Sequence, residues 1–131
     1  MSDKFELVKQ YLQELEIQII QENPDEQLVV VDEEEDGIKN LLIDCEEPIL
    51  ILEQVILNVP SNPGDLFKRL LQMNRNLVHG AFVMDESGDL VLFRDTLQLE
   101  NLDRNELESS IRALSLGLAE YSTELLKYVG K

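Results

Sequence analysis

Residues 29–40 read VVVDEEEDGIKN: three valines, five consecutive acids from Asp32 to Asp36, then a glycine. Carboxylate oxygens gathered this densely are the donors that hard divalent cations take. As an EF-hand loop starting at Asp32, the run supplies Asp32, Glu34 and Asp36 at the first, third and fifth positions and Gly37 at the sixth. The twelfth position, where a bidentate glutamate belongs, is Ile43, and the flanks read as strands rather than helices. An EF-hand is excluded. Two readings stay open: a hairpin tip turned on Asp36-Gly37 with its acids projecting into water, or a weak divalent-cation site over residues 32–36. Asp85, Glu86 and Asp89 pose the same question more faintly, again at a hairpin tip.

Other chemistry is sparsely provisioned. Nucleophilic catalysis would have to use His79, the one histidine, or Cys45, the one cysteine. Neither has a nucleophile or base beside it in sequence, and Glu46 and Glu47 would raise the Cys45 thiol pKa rather than activate it. Zinc needs several Cys or His ligands. The six glycines are scattered, with no phosphate-cradling loop. Among 27 acids nothing singles out a catalytic pair, and the chain has no Trp to stack on a sugar. The expectation is a protein that is not an enzyme and has no cofactor.

The charge is lopsided. Net charge is −16; residues 1–60 hold 16 acids against 3 bases, residues 61–131 hold 11 against 8. Such a surface repels phosphates and anionic lipid, so neither nucleic acid nor membrane is expected as a partner. A single cysteine allows no internal disulfide, and MSDKFELVKQ has neither the basic nor the apolar region of a signal peptide. Apolar runs such as residues 48–52 are too short to span a bilayer. A cytoplasmic protein is expected.

The elements that would position these groups follow from periodicity. Phe5, Val8, Leu12 and Leu15 form one helical stripe over residues 3–15, with Ser2 as N-cap. A short strand is expected at 17–22, then a turn at Asn23-Pro24-Asp25. Three strands follow at 28–32, 38–44 and 49–59. The second alternates Leu41, Ile43 and Cys45 against Asn40 and Asp44, with Leu42 the exception; the third is apolar on both faces. Ser61 or Asn62 caps a second helix that reaches about Arg75 and carries Leu66, Leu70, Met73 and Leu77, with Phe67 and Leu71 beside them. Strands at 78–84 and 90–94 flank a Gly88 turn. Asp103 and Glu106 have capping-box spacing for a last helix over 103–128. Its stripe of Leu107, Ile111, Leu114, Leu118, Tyr121, Leu125 and Tyr128 suits packing across a sheet or, alternatively, a seam for a partner helix. The fold class is α+β: one domain over 1–131, with an antiparallel sheet of five to six strands and helices at the N-terminus, middle and C-terminus.

This order, with the leucine-rich helix ending in MNRN (Met73 to Asn76), then AFVMDESGDLVLFRDTL, then the L-x-x-x-L opening at Leu107, resembles the YbjN domain family. That family is similar in turn to the class I type III secretion chaperones, such as the chaperone of Tir. The strand ILILEQVILNV before the middle helix fits as well. The resemblance implies a small, acidic, non-enzymatic homodimer that binds an extended segment of a client protein. It implies a dimer contact near the middle helix, for which Leu66, Leu70, Met73 and Leu77 are the candidates. It also implies client binding along a sheet edge, for which the candidate strand is Leu28, Val29, Val30 and Val31.

Overall fold

The computed structural model describes residues 3–129. Helix α1 (Asp3–Glu14) is followed by strands β1 (Gln18–Asn23), β2 (Leu28–Glu33), β3 (Ile38–Glu46) and β4 (Ile49–Asn58). Helix α2 (Leu66–Asn74), strands β5 (Ala81–Met84) and β6 (Leu90–Gln98), and helix α3 (Arg104–Leu126) complete the chain. The strands make one six-stranded antiparallel sheet in the order β1-β2-β3-β4-β6-β5. The α+β class and the helix–strands–helix–strands–helix order read from the sequence are those observed, with the short first strand realised as β1.

Ladder register sorts the side chains into two faces. Val29 pairs with Ile43, Ile43 with Leu52, Cys45 with Leu50, and Gln54 with Phe93, which pairs in turn with Phe82. All of these are buried. The helices bury their stripes against the same face: Phe5, Val8 and Leu12 from α1, Leu66, Leu70 and Met73 from α2, and Leu107, Ile111, Leu114, Tyr121 and Leu125 from α3. Ser110 of α3 donates to Asp95 of β6 at 2.7 Å, and the Tyr121 ring meets Phe82 edge-on. Helix α3 therefore lies across its own sheet, and the seam for a partner helix is not what this stripe serves. Its capping box forms as read: Asp103 accepts from the Glu106 N–H at 2.7 Å, and Glu106 accepts from the Asp103 N–H at 3.2 Å.

Several boundaries differ from expectation. Helix α2 begins only at Leu66, after Asp65, which makes no side-chain cap bond; Ser61 and Asn62 stay in the preceding loop. Ser2, expected to cap α1, lies outside the described residues. Strand β5 starts at Ala81, because Gly80 takes a φ of +75° and turns the chain there. His79 consequently sits exposed in a loop and does not begin a strand. Strand β6 runs on to Gln98, pairing with β4 along its length.

Candidate functional site

The acidic run forms the β2–β3 hairpin tip. Residues Glu34–Asp36 make one 3-10 turn, closed by Gly37 at φ +78° with its N–H on the Glu34 carbonyl at 3.0 Å. Below it, Gln54 accepts from the Lys39 N–H and donates to the Gly37 carbonyl, tying the tip to β4. The carboxylates have separate partners at the two ends of the run: Asp32 accepts from the Asn40 N–H at 2.7 Å, while Asp36 and Glu33 lie 3.2 and 3.9 Å from Arg112 of α3. The hydrogen bond with Asp36, then desolvation, holds the Glu33 carboxyl above its ordinary range. Among the described residues, no three His, Cys, Asp or Glu side chains are grouped to hold a metal ion. Replacing Glu33, Glu34 and Glu35 together by glutamine is expected to change stability by no more than about 1 kcal/mol, since exposed ion pairs contribute little. Urea unfolding with and without a chelator measures this; a loss of several kcal/mol would instead indicate a structural cation.

Cys45 is buried, and burial first, then the nearby Asp44 charge, pushes its thiol up to about 11. It is a protonated core group, in keeping with the reading of Cys45 as unactivated.

The sites expected for protein contacts are arranged differently from the sequence reading. Leu66, Leu70 and Met73 are 0, 5 and 0% exposed within the single chain, so they cannot form a contact between copies; the core already uses them. Leu77 is half-buried. The large apolar residues α2 leaves outside are Phe67 and Leu71, one turn apart and 39 and 72% exposed. Just beyond the helix, Leu77 and Val78 join Leu116 of α3 around a shallow hollow of about 810 Å³.

The candidate client strand is corrected likewise. β2 lies between β1 and β3, so both its main-chain edges are paired, and Val29 and Val31 point into the core. Leu28 and Val30 point to the opposite face and stay partly exposed. The edges belong to β1 and β5. At β5, both main-chain groups of Phe82 that face away from β6 are taken by Asn74: its Nδ2 donates to the carbonyl at 3.1 Å, and its Oδ1 accepts from the N–H at 2.7 Å. At β1, pairing runs only to β2, with a bulge between Ile19 and Gln21 that leaves Ile20 exposed. Among the described residues, the unobstructed edge is therefore β1.

The sheet face away from the helices is bare: among the described residues, none that register places there is buried. Its rows can be read from the ladders. One runs Asn23, Leu28, Asp44, Ile51, Thr96; the next runs Gln21, Val30, Leu42, Glu53, Arg94, Ala81. Asp44 thus sits between Leu28 and Ile51, with Leu42 and Glu46 two residues away along its own strand. Its Oδ1 is buried without a hydrogen-bond partner. Desolvation first, then the charge of Glu46, pushes Asp44 up to about 6. An acid whose pKa is raised on folding holds its proton more tightly folded than unfolded, so stability falls as pH rises from about 4 through about 6 and stays lower above. Asp44→Asn is expected to raise the melting temperature at about pH 7.5 and to change it little at about pH 4. Equal shifts at both pH values would mean the charge is not what strains the site.

On the helix side, α3 and the hairpin tip enclose a groove of about 750 Å³, where the exposed Val55, Leu126 and Val129 meet Leu118 and Gly37. Sequence reasoning missed it because Val55 lies at a β4 bulge that no alternation pattern marks.

The chain thus combines a helix-backed antiparallel sheet with an open β1 edge and a face that no helix covers. The family profile CesT_Tir_1 matches residues 1–131. The chain belongs to the CesT_Tir_1 family. Among solved structures, this CesT_Tir_1 chain is similar to YbjN from E. coli, at 13% identity and a TM-score of 0.70, with 92% of each chain covered. It is similar to an uncharacterized protein from Methanothermobacter thermautotrophicus at 16% identity and a TM-score of 0.69, covering 97% of this chain and 99% of that one. It is also similar to the Yersinia pestis type III secretion chaperone SycH, solved with a stable fragment of YscM2, at 16% identity and a TM-score of 0.58, covering 85 and 92%. At these identities the likeness is one of fold. The resemblance to YbjN and the secretion chaperones read from sequence is the one the family and the structures show. No match is found among curated proteins. Among the described residues, no helix is long and apolar enough to cross a membrane.

Proposed function

We propose that this CesT_Tir_1 chain is a non-enzymatic, chaperone-like module that binds extended segments of a client protein. The observation that carries the reading is the unpaired β1 edge bordering a bare sheet face. An extended peptide added there gains main-chain hydrogen bonds and sets alternate side chains against the sheet. SycH, of the same fold, was solved with a protein fragment, which supports a polypeptide as the ligand class. A cytoplasmic setting belongs to this reading, with Cys45 kept as a buried free thiol.

The test is amide hydrogen exchange against a panel of extended peptides differing in charge and apolar content. Binding should slow exchange in β1. A panel that alters exchange nowhere in the sheet would overturn the reading.

A homodimer belongs to it as well. With Leu66, Leu70 and Met73 committed to the core, the contact is assigned to Phe67 and Leu71 on α2, continued by Val78 and Leu116, as an isologous patch. Light scattering at micromolar concentration should give twice the chain mass; a mass near 15.0 kDa throughout would exclude the dimer.

A further inference from the structure

We propose that the bare face of the sheet is a docking surface for a cationic amphipathic segment of a protein partner, whose apolar side chains pack on Leu28, Leu42 and Ile51 while a Lys or Arg is seated between Asp44 and Glu46. The inference rests on the protein-binding reading above and names the chemistry of the segment and where its charge goes.

Three observations select this occupant. The first is the apolar patch: Leu28, Val30, Leu42 and Ile51 surround Asp44 on the same face, stay partly exposed and stand outside the core. The second is charge. Register places Asp32, Asp44, Glu46 and Glu53 on this face, and the one base placed there by register, Arg94, is already paired with Glu53. A second copy seated face to face would set these acids against their own counterparts, each on a chain of net charge −16. Like charges juxtaposed across an interface oppose association, whereas a cationic segment is drawn in. Nucleic acid is refused for the same reason. The third is Asp44 itself. The acids that face it are Glu46 on its own strand, Glu26 from the β1–β2 turn and Glu53 from β4, and the base that register places on this face, Arg94, serves Glu53. Glu46 shares a hydrogen bond with the Asp44 carboxyl, but Oδ1 itself receives no donor from the chain, and a partner's ammonium or guanidinium would supply one.

The experiment uses two synthetic peptides of about ten residues, alternating valine and threonine around a central pair of lysines or, in the control, glutamines; about ten residues span a sheet of this width at roughly 3.3 Å each. The lysine peptide should bind the wild-type chain and shift the methyl resonances of Leu28, Leu42 and Ile51. Asp44→Asn should weaken it about tenfold or more while leaving the glutamine peptide unchanged. Near pH 6, binding of the lysine peptide should release protons, seen as heat that varies with the buffer, and Asp44→Asn should abolish that release. Equal affinity of the two peptides for wild type, or lysine binding that Asp44→Asn does not alter, would overturn the inference while leaving binding along β1 intact. Failure of both peptides and of the wider panel to bind would overturn the inference together with the proposed function. Asp44→Asn removes a charge that strains the fold, so loss of binding in that variant is not a loss of folding.

Discussion

Met73→Asp is expected to leave the chain unfolded, while the same change two residues earlier, Leu71→Asp, leaves it folded. Met73 is 0% exposed and packs in the core shared by α2, β5 and α3; Leu71 is 72% exposed on the opposite side of the same helix. Removing a buried methionine side chain costs about 2–5 kcal/mol. A carboxylate left there without a partner adds several kcal/mol more, or takes up a proton at comparable cost. Together these reach the roughly 5–15 kcal/mol that ordinarily separates folded from unfolded states. Circular dichroism and urea titration of both variants decide the matter. A folded Met73→Asp chain would mean that α2 presents its other stripe to the sheet. Leu71→Asp then becomes the informative variant for assembly: it should convert a dimer to monomer with its secondary structure intact.

Gly80→Ala is the second change with a large expected effect. Gly80 has φ +75°, a conformation costing an L-residue roughly 1–2 kcal/mol. A Cβ there would stand 2.4 and 2.6 Å from two ring carbons of Phe93 and 3.1 Å from the Arg94 carbonyl. Phe93 cannot withdraw, being 2% exposed and held edge-on against Phe82 with ring centroids 5.9 Å apart. Adding the overpacking penalty, a loss of about 3 kcal/mol or more is expected in chemical denaturation. Gly117→Ala is the built-in contrast. That glycine lies within α3, where a Cβ would meet the tip of the half-buried Leu77 side chain at 3.3 Å and, at an ordinary contact distance of 3.9 Å, one ring carbon of Phe93. Improved helix propensity of about 1 kcal/mol offsets the crowding, so its stability should stay within about 1 kcal/mol of wild type. Equal effects at the two glycines would contradict the tight turn into β5.

The same residues show how far the chain could be read in advance. Alternation in β3 told correctly that Leu41, Ile43 and Cys45 face inward, and the Asp103–Glu106 spacing placed the start of α3, because both signals are local. The α2 stripe was not decidable locally. Leu66, Leu70 and Met73 and the adjacent Phe67 and Leu71 are equally helical in spacing, and which pair of ridges faces inward is set by β5 and α3. The position of β2 inside the sheet is likewise a matter of strand order, which depends on the return of the chain through β1 rather than on anything in the valines themselves. Asp44 looked like one more outward-facing acid of an amphipathic strand. Its orphan oxygen appears only once Leu28 and Ile51 are known to stand on either side of it.

The amide of Asn74 acts as a chain terminator for the sheet. By occupying both outward main-chain groups of Phe82, in the middle of a four-residue strand, it obstructs strand addition at β5 and leaves β1 the freer edge. Fibre growth by strand addition needs every unit to present two usable edges, so that each newcomer offers a fresh template. Among the described residues, this chain offers one unobstructed edge. A client strand laid on β1 ends the series, and two copies meeting through β1 would consume both templates at once. Strand addition at β5 is thereby opposed, and with it fibre growth through both edges of the sheet.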